Sequence, residues 1–269
     1  MSAETPDGFE AVTDYVEENL QFATSHYNDS YLQRRIKSRI RRTRTDGYRD
    51  YLSLLRENDE EGRQLLEALS INVTGFFRNP EVWEGVKSIL REQTDEHAAV
   101  RVWCAACADG REPYSVAMLA LDDPEIDASK VSIRATDINE PVLAAAERGV
   151  YESNHTSDLD EQLRFLGHYP TYVERDGEEF SVGERVKQLV TFENHDLIRD
   201  RTTGTYELVM CRNLFIYIDP EHKRSIVDTV SGALRTDGYL VIGKAETIPK
   251  EVSDLFRVED GRKRIYRRA

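Results

Sequence analysis

The sequence of 269 residues is 39% hydrophobic, which is enough for one large α/β domain and a smaller companion. Its 50 acidic and 36 basic residues give a formal net charge of -14, which argues against a general nucleic-acid binder because the phosphate backbone would be repelled. Three cysteines do not indicate a secreted disulfide scaffold, and neither a signal peptide nor a membrane-spanning apolar run is apparent, so we expect a cytoplasmic protein without membrane insertion.

The first part of the chain predicts a set of helices. Apolar residues recur there at three- or four-residue spacing, as in Leu32, Ile36 and Ile40, and no strand pattern interrupts them. We therefore assign residues 1–79 to an all-helical N-terminal domain.

From Pro80 onward, predicted strands and helices alternate, which implies a parallel sheet with right-handed crossovers. Residues from about 152 to 190 break this rhythm and contain the turn Asp176-Gly177, which favours an inserted antiparallel β subdomain. We assign residues 80–269 to this second domain. Its other predicted elements are strands at 100–104, 131–136, 206–211 and 239–243, helices at 112–121 and 141–148, a helix from Asp219-Pro220 to Leu234, and a closing hairpin.

Two strand ends carry the chemistry expected of an adenosine cofactor site. Small residues follow the strand at 100–104 and lead to Glu112, while the next strand ends in Asp137, which can accept both hydroxyls of a ribose. A nicotinamide cofactor is disfavoured because the G-x-G-x-x-G pattern is missing and Glu112 would repel a diphosphate. Glu112 would instead attract the ammonium group of S-adenosylmethionine, which carries no phosphate.

Four motifs in this order resemble the chemoreceptor glutamate O-methyltransferase family, the CheR type. They are Asn72-Val-Thr-Gly-Phe-Phe-Arg78, Cys107-Ala-Asp-Gly-Arg-Glu-Pro-Tyr-Ser115, Ala135-Thr-Asp-Ile138 and Cys211-Arg-Asn-Leu-Phe-Ile-Tyr-Ile-Asp219. The resemblance implies a class I, Rossmann-like methyltransferase fold with a mostly parallel sheet, an N-terminal helical domain and a small antiparallel β insertion. It also implies that S-adenosylmethionine is converted to S-adenosylhomocysteine as glutamate side chains of methyl-accepting chemotaxis receptors become methyl esters.

The resemblance also implies roles for single residues. Arg78 and Tyr217 are the expected catalytic residues, with Arg78 orienting a carboxylate and Tyr217 close to the sulfonium. No metal site is expected. The expected cofactor-binding residues are Asn72, Thr74, Arg78, Glu112, Asp137, Asp196, Leu197, Arg212 and Asn213.

Three features depart from the family pattern, two single positions and the insertion. Arg111 stands where the family often has Glu, and Asp196 stands where it usually has Asn. The insertion lacks the glycine-rich signature of members that dock a receptor's C-terminal peptide, so the sequence does not predict that tethering.

The segment 31–44 holds seven basic residues and no acid. A solvated helix face explains such a run, and nucleic-acid binding is a minor alternative. The family resemblance implies instead that this helix meets the acidic methylation region of a receptor. The seven residues are Arg34, Arg35, Lys37, Arg39, Arg41, Arg42 and Arg44.

Two other functions stay open at this point. The chain could be a methyltransferase of the same fold acting on nucleic acid or a small molecule, or an inactive cofactor-binding module of a signalling complex. Cys104 and Cys107 form a C-x-x-C pair, but a structural zinc site usually needs four ligands and only Cys211 remains, so we expect buried structural cysteines.

Overall fold

The structure, a computed structural model, describes residues 6–20, 22–69, 74–154, 157–202 and 204–269. Close contacts divide the chain into two compact units. The first comprises residues up to 71 together with 217–223, and the second comprises residues 72–216 and 224–269. Within the described ranges, no helix is both long enough and apolar enough to cross a membrane.

In its described residues, the first unit has four α-helices around an apolar core of its own. The residues that predict the helices by their spacing, such as Val16, Ile36 and Leu65, are fully buried there. Each of these helices would be unstable alone, and packing its apolar face against the other helices stabilises it. The helices are α1 (Pro6–Asn19), α2 (Asp29–Thr43), α3 (Tyr48–Glu57) and α4 (Asp59–Leu69).

A seven-stranded sheet forms the centre of the second unit, with the strand order β6-β2-β1-β7-β8-β10-β9. The first five strands in this order are parallel, while β10 is antiparallel to both β8 and β9. All residues of β7 are buried, as expected for a central parallel strand covered on both faces. The strands are β1 (Val100–Ala105), β2 (Val131–Asp137), β6 (Val190–Asn194), β7 (Tyr206–Cys211), β8 (Leu234–Ile242), β9 (Phe256–Asp260) and β10 (Ile265–Arg268).

A small antiparallel sheet lies between β2 and β6 in the sequence. Its strands, in the order β3-β5-β4, are β3 (Val150–Glu152), β4 (Val173–Asp176) and β5 (Glu179–Val182). Gly177 has a φ of 61°, so the predicted turn at Asp176-Gly177 does join two paired strands. The helices of the second unit are α5 (Pro80–Glu96), α6 (Arg111–Asp122), α7 (Glu140–Arg148), α8 (Leu159–Leu163), α9 (Glu184–Lys187) and α10 (Lys223–Ala233).

This architecture confirms the predicted fold class, a mostly parallel sheet with helices, an all-helical N-terminal region and a small antiparallel sheet. Three details of the prediction were wrong. Strand β8 begins at Leu234, directly after α10, rather than at Tyr239, because Leu234 already pairs with Tyr206 of β7. Strand β6 was overlooked, although it pairs with β2 over five residues. Helix α10 begins at Lys223 rather than at Asp219-Pro220, because the Asp219 carboxylate accepts the Glu221 N–H at 3.3 Å within a turn that precedes the helix.

Candidate active site

The carboxyl ends of the five parallel strands meet at one edge of the large sheet, the place where open α/β sheets bind ligands. Most of the predicted site residues follow these strand ends directly. Asp137 ends β2, Asp196 and Leu197 follow β6, and Arg212 and Asn213 follow β7. Glu112 lies in the first turn of α6, after the loop that leaves β1.

The loop after β1 is tight and lined by small residues. Ala106, Ala108 and Gly110 all have positive φ values, of 56°, 50° and 86°. A Cβ atom at Gly110 would lie only 2.8 Å from the Ala146 Cβ, so glycine is required there. The loop therefore exposes backbone rather than large side chains, which lets a ligand approach closely.

Asp137 ties the end of β2 to this loop. Its carboxylate accepts the Ala108 N–H at 2.8 Å and the Asn139 N–H at 3.0 Å. The side chain is buried, and burial raises the pKa of Asp137 although the backbone hydrogen bonds oppose that shift. A carboxylate held in this way can still accept the two hydroxyls of a ribose on its remaining lone pairs.

Glu112, whose side chain is 12% exposed, forms an ion pair with the buried Arg212, with 3.0 Å between Oε2 and Nη1. Arg212 also donates to the Arg78 carbonyl oxygen at 2.8 Å, and its guanidinium lies 5.6 Å from the centre of the Trp83 ring. Burial raises the pKa of Glu112, although the positive charges of Arg212 and Arg78 favour its ionised form. Three predicted residues are thus brought together here.

The segment before α5 is anchored to the same region. The Thr74 carbonyl oxygen accepts a hydrogen bond from Arg111 at 3.3 Å, and the Phe77 N–H donates to the Ser115 hydroxyl at 3.1 Å. Phe76 and Phe77 are both buried in the core of the second unit. Asn72 lies outside the described residues.

Asp196 and Leu197 lie where β6 ends. The Asp196 carboxylate accepts the N–H groups of Ile198 and Arg199 at 2.8 Å and 3.2 Å, so it caps the turn that follows. Leu197 is buried beside it. Their expected role in cofactor binding stays a prediction.

Tyr217 belongs to the first unit, where its ring centre lies 4.8 Å from that of Tyr31 in α2. The Tyr217 carbonyl oxygen accepts the Asn28 N–H at 3.0 Å, and the next residue, Ile218, forms an isolated antiparallel bridge with Tyr27. These contacts fix the segment 217–223 on the helical unit. The catalytic role of Tyr217 stays a prediction.

Sequence reasoning missed two side chains at the sheet edge. Asn194, the last residue of β6, donates from Nδ2 to the Ile138 carbonyl oxygen at 2.9 Å. Glu246 is buried and accepts the N–H groups of Gly243 and Asn213 at 2.5 Å and 2.9 Å. The signal for Glu246 was available, since an acid three residues after a strand-ending glycine lies at the same edge as Asp137.

The groups at this edge fit S-adenosylmethionine. Glu112 could pair with an ammonium, Asp137 could accept hydrogen bonds from a ribose, and Arg78 and Arg212 could pair with a carboxylate. The buried Arg212 Nε makes no hydrogen bond within the described part of the chain, so a donor is left for a ligand. The Cys104 and Cys107 thiols are buried, and burial raises the pKa of both well above the ordinary value, so they are poor nucleophiles.

In comparison with known proteins, the two regions of the chain match two domains of the same family. Residues 72–265 match the family described as CheR methyltransferase, SAM binding domain, and residues 7–70 match CheR methyltransferase, all-alpha domain.

Similar proteins include a chemotaxis protein methyltransferase of Listeria monocytogenes, which is 30% identical over 88% of this chain and 88% of its own length. A probable chemotaxis protein methyltransferase of Rhizobium etli is 30% identical over 84% of this chain and 87% of its own length. Chemotaxis protein methyltransferase 2 of Vibrio cholerae is 28% identical over 87% of this chain and 82% of its own length. The chain therefore belongs to the CheR methyltransferase family, with S-adenosylmethionine as its cofactor.

Proposed function

We propose that this protein transfers the methyl group of S-adenosylmethionine to glutamate side chains of methyl-accepting chemotaxis receptors and so forms glutamate methyl esters in the cytoplasm. The observation that carries the proposal is that both regions of the chain match the CheR methyltransferases, the helical region as well as the cofactor-binding region. A methyltransferase that shared only the fold would match in the second region alone.

The chemistry of the substrate agrees with the residues at the sheet edge. A glutamate carboxylate has a pKa near 4.3 in model peptides, so it is already a nucleophile at neutral pH and needs no general base. S-adenosylmethionine supplies a methyl group on a positively charged sulfur. Attack by a carboxylate neutralises both charges, so alignment and exclusion of water accelerate the transfer.

The side chains divide this work among them. Glu112 binds the ammonium end of the cofactor and is itself held by Arg212, while Asp137 binds the ribose and fixes the loop at Ala108. Arg78 orients a carboxylate of the cofactor or the substrate. It must do so without binding the attacking carboxylate tightly, because a strong ion pair would lower that group's nucleophilicity.

The direct test incubates the purified protein with receptor membranes and S-adenosylmethionine carrying a radiolabelled methyl group. Release of volatile methanol by base from labelled receptor is the expected result, because methyl esters are labile to base. Base-stable label on another molecule would indicate a different substrate. Binding of S-adenosylhomocysteine without any transfer would indicate an inactive signalling module, and either result would overturn the proposal.

The receptor contact is proposed for the exposed basic face of α2. Arg34, Lys37 and Arg41 are exposed and follow one another at three- and four-residue spacing, so they share one face of the helix. In a chain of net charge -14, such a positive face supports attraction to an acidic helical partner. Arg39 does not belong to this face, since it is buried in an ion pair with Glu61 at 2.6 Å.

Charge reversal tests this contact. We expect the double variant Arg34→Glu and Arg41→Glu to slow receptor methylation about tenfold or more at low salt and much less at 0.5 M salt, because exposed charges are screened. The double variant Arg49→Glu and Arg56→Glu, at exposed positions of α3, changes the charge equally and is the matched control, which should change the rate less than twofold. Equal effects at both salt concentrations would exclude an electrostatic docking role for α2.

A further inference from the structure

Glu246 follows β8 and is buried, with an exposed fraction of 2%. Its Oε2 atom accepts the N–H groups of Gly243 at 2.5 Å and Asn213 at 2.9 Å, and its Oε1 atom accepts the N–H of Ile216 at 3.3 Å. One carboxylate therefore joins the end of β8 to the segment 213–216, which leaves the end of β7.

The local backbone depends on this contact. Asn213 has a φ of 63°, in the left-handed region that costs energy for a residue other than glycine. Gly243 leaves the room that the carboxylate needs, since a Cβ atom there would lie 2.5 Å from the Glu246 Oε2 and 2.9 Å from the Asn213 nitrogen. Asn213, Gly243 and Glu246 therefore depend on one another for their conformation.

Within the described part of the chain, backbone donors rather than an ion pair balance the charge of Glu246. The negative charge of Glu246 raises the pKa of two titratable neighbours, Glu112 and Cys211. Arg212 forms an ion pair with Glu112. Burial raises the pKa of Glu246, and the four N–H groups of residues 213, 215, 216 and 243 oppose that shift. Burying a carboxylate that is stabilised by backbone N–H groups lowers the stability of the fold. Such a cost is expected where the carboxylate serves a functional site.

We infer that Glu246 is a positioning residue of the methyltransferase: its carboxylate sets the backbone of residues 213–216 and so places Asn213 at the cofactor. Glu246 acts through Asn213 and does not touch the reacting atoms. The inference rests on cofactor binding, and it holds whichever molecule receives the methyl group.

Replacement by glutamine gives the sharpest test. Glu246→Gln keeps the shape but turns an NH₂ group toward backbone donors, so at least one N–H loses its acceptor. We expect the dissociation constant for S-adenosylhomocysteine, measured by calorimetry, to rise about tenfold or more. The Michaelis constant for S-adenosylmethionine should rise in parallel.

Glu207→Gln is the matched control, because Glu207 is also a buried glutamate that accepts a backbone N–H, from Arg101 at 2.6 Å, but near the amino end of β7. It should lower the melting temperature and leave S-adenosylhomocysteine affinity within about twofold of the parent protein. If Glu246→Gln folds and keeps its affinity within twofold as well, the inference is wrong.

A measurement that leaves Glu246 in place covers the case in which Glu246→Gln does not fold. In a pH titration followed by nuclear magnetic resonance, the amide proton signals of Gly243, Asn213 and Ile216 should shift together as one carboxyl group titrates above the ordinary glutamate range. Affinity for S-adenosylhomocysteine, measured in Glu112→Gln so that titration of Glu112 does not contribute, should fall as the pH is lowered through the same interval. Independent shifts of the three amides, or affinity that stays constant while they shift together, would overturn the role assigned to Glu246.

Discussion

The proposed function requires the ionised form of Glu112, a carboxylate whose side chain is 12% exposed. Burial raises its pKa, so protonation begins at a higher pH than for an exposed glutamate. Binding an ammonium group favours the ionised form and lowers this pKa again. Cofactor binding must therefore release protons in mildly acidic solution, and affinity must fall as the pH falls toward the raised pKa.

We expect calorimetry of S-adenosylhomocysteine binding to show proton release that grows as the pH is lowered toward the raised pKa of Glu112, as a difference in heat between buffers of different ionisation enthalpy. The difference should shrink as the pH rises and the carboxyl becomes ionised before binding. Glu112→Gln should bind weakly at every pH and release far fewer protons. Proton uptake on binding would contradict the role of Glu112.

Replacing Asp137 should lower the affinity for the cofactor product much more than it changes the free energy of unfolding. Its ionised form is disfavoured by burial, and Asp137→Asn removes that cost while leaving one amide oxygen to accept an N–H. We expect the free energy of unfolding without cofactor to change by no more than about 1 kcal/mol. Affinity for S-adenosylhomocysteine should fall by at least about tenfold, because the ribose loses a charged acceptor. Urea unfolding and calorimetry measure the two quantities, and an unchanged affinity would remove Asp137 from the site.

Helix α2 contains two kinds of basic residue, one buried in an ion pair and the others exposed to solvent or half-buried. Arg39 donates to the Glu61 carboxylate from both Nε and Nη2, at 3.0 Å and 2.6 Å, and the Tyr51 hydroxyl donates to the same carboxylate at 2.6 Å. This buried group joins α2, α3 and α4. Arg42, three residues further on, is exposed.

We therefore expect Arg39→Ala to lower the free energy of unfolding by about 3–5 kcal/mol, because Glu61 would be left as a buried unpaired charge. Arg42→Ala should lower it by less than about 0.5 kcal/mol. Urea unfolding followed by circular dichroism distinguishes the two variants. Similar losses for both would mean that the buried pair contributes little to holding the helices together.

The same contrast shows what the sequence could and could not predict at the level of elements. Helical spacing and the alternation of strands and helices were enough for the fold class, and strand ends were enough to bring Glu112, Asp137 and Arg212 to one sheet edge. Strand β6 was missed because its pattern of alternating exposure is that of an edge strand and resembles the preceding insertion. The burial of Arg39 depends on Glu61, 22 residues away, and no local pattern reports such a partner.

At the scale of the whole molecule, the net charge of -14 implies repulsion that salt should relieve. The small sheet concentrates this repulsion, because Glu179 of β5 lies directly opposite Glu152 of β3 and Asp176 of β4. Like charges in opposed positions destabilise a sheet. We therefore expect the melting temperature to rise with salt up to a few tenths molar, the range in which screening becomes nearly complete.

Glu179→Lys converts two repulsive pairs into attractive ones and so tests whether the effect of salt comes from this row of acids. The variant should melt about 2 °C higher than the parent protein in 20 mM salt, and the difference should shrink toward zero in 1 M salt as screening removes both repulsion and attraction. Glu57→Lys, an exposed change of equal charge in α3, controls for the net charge alone. Equal gains in the two variants would assign the salt dependence to total charge, whereas a gain confined to Glu179→Lys assigns it to the three opposed carboxylates.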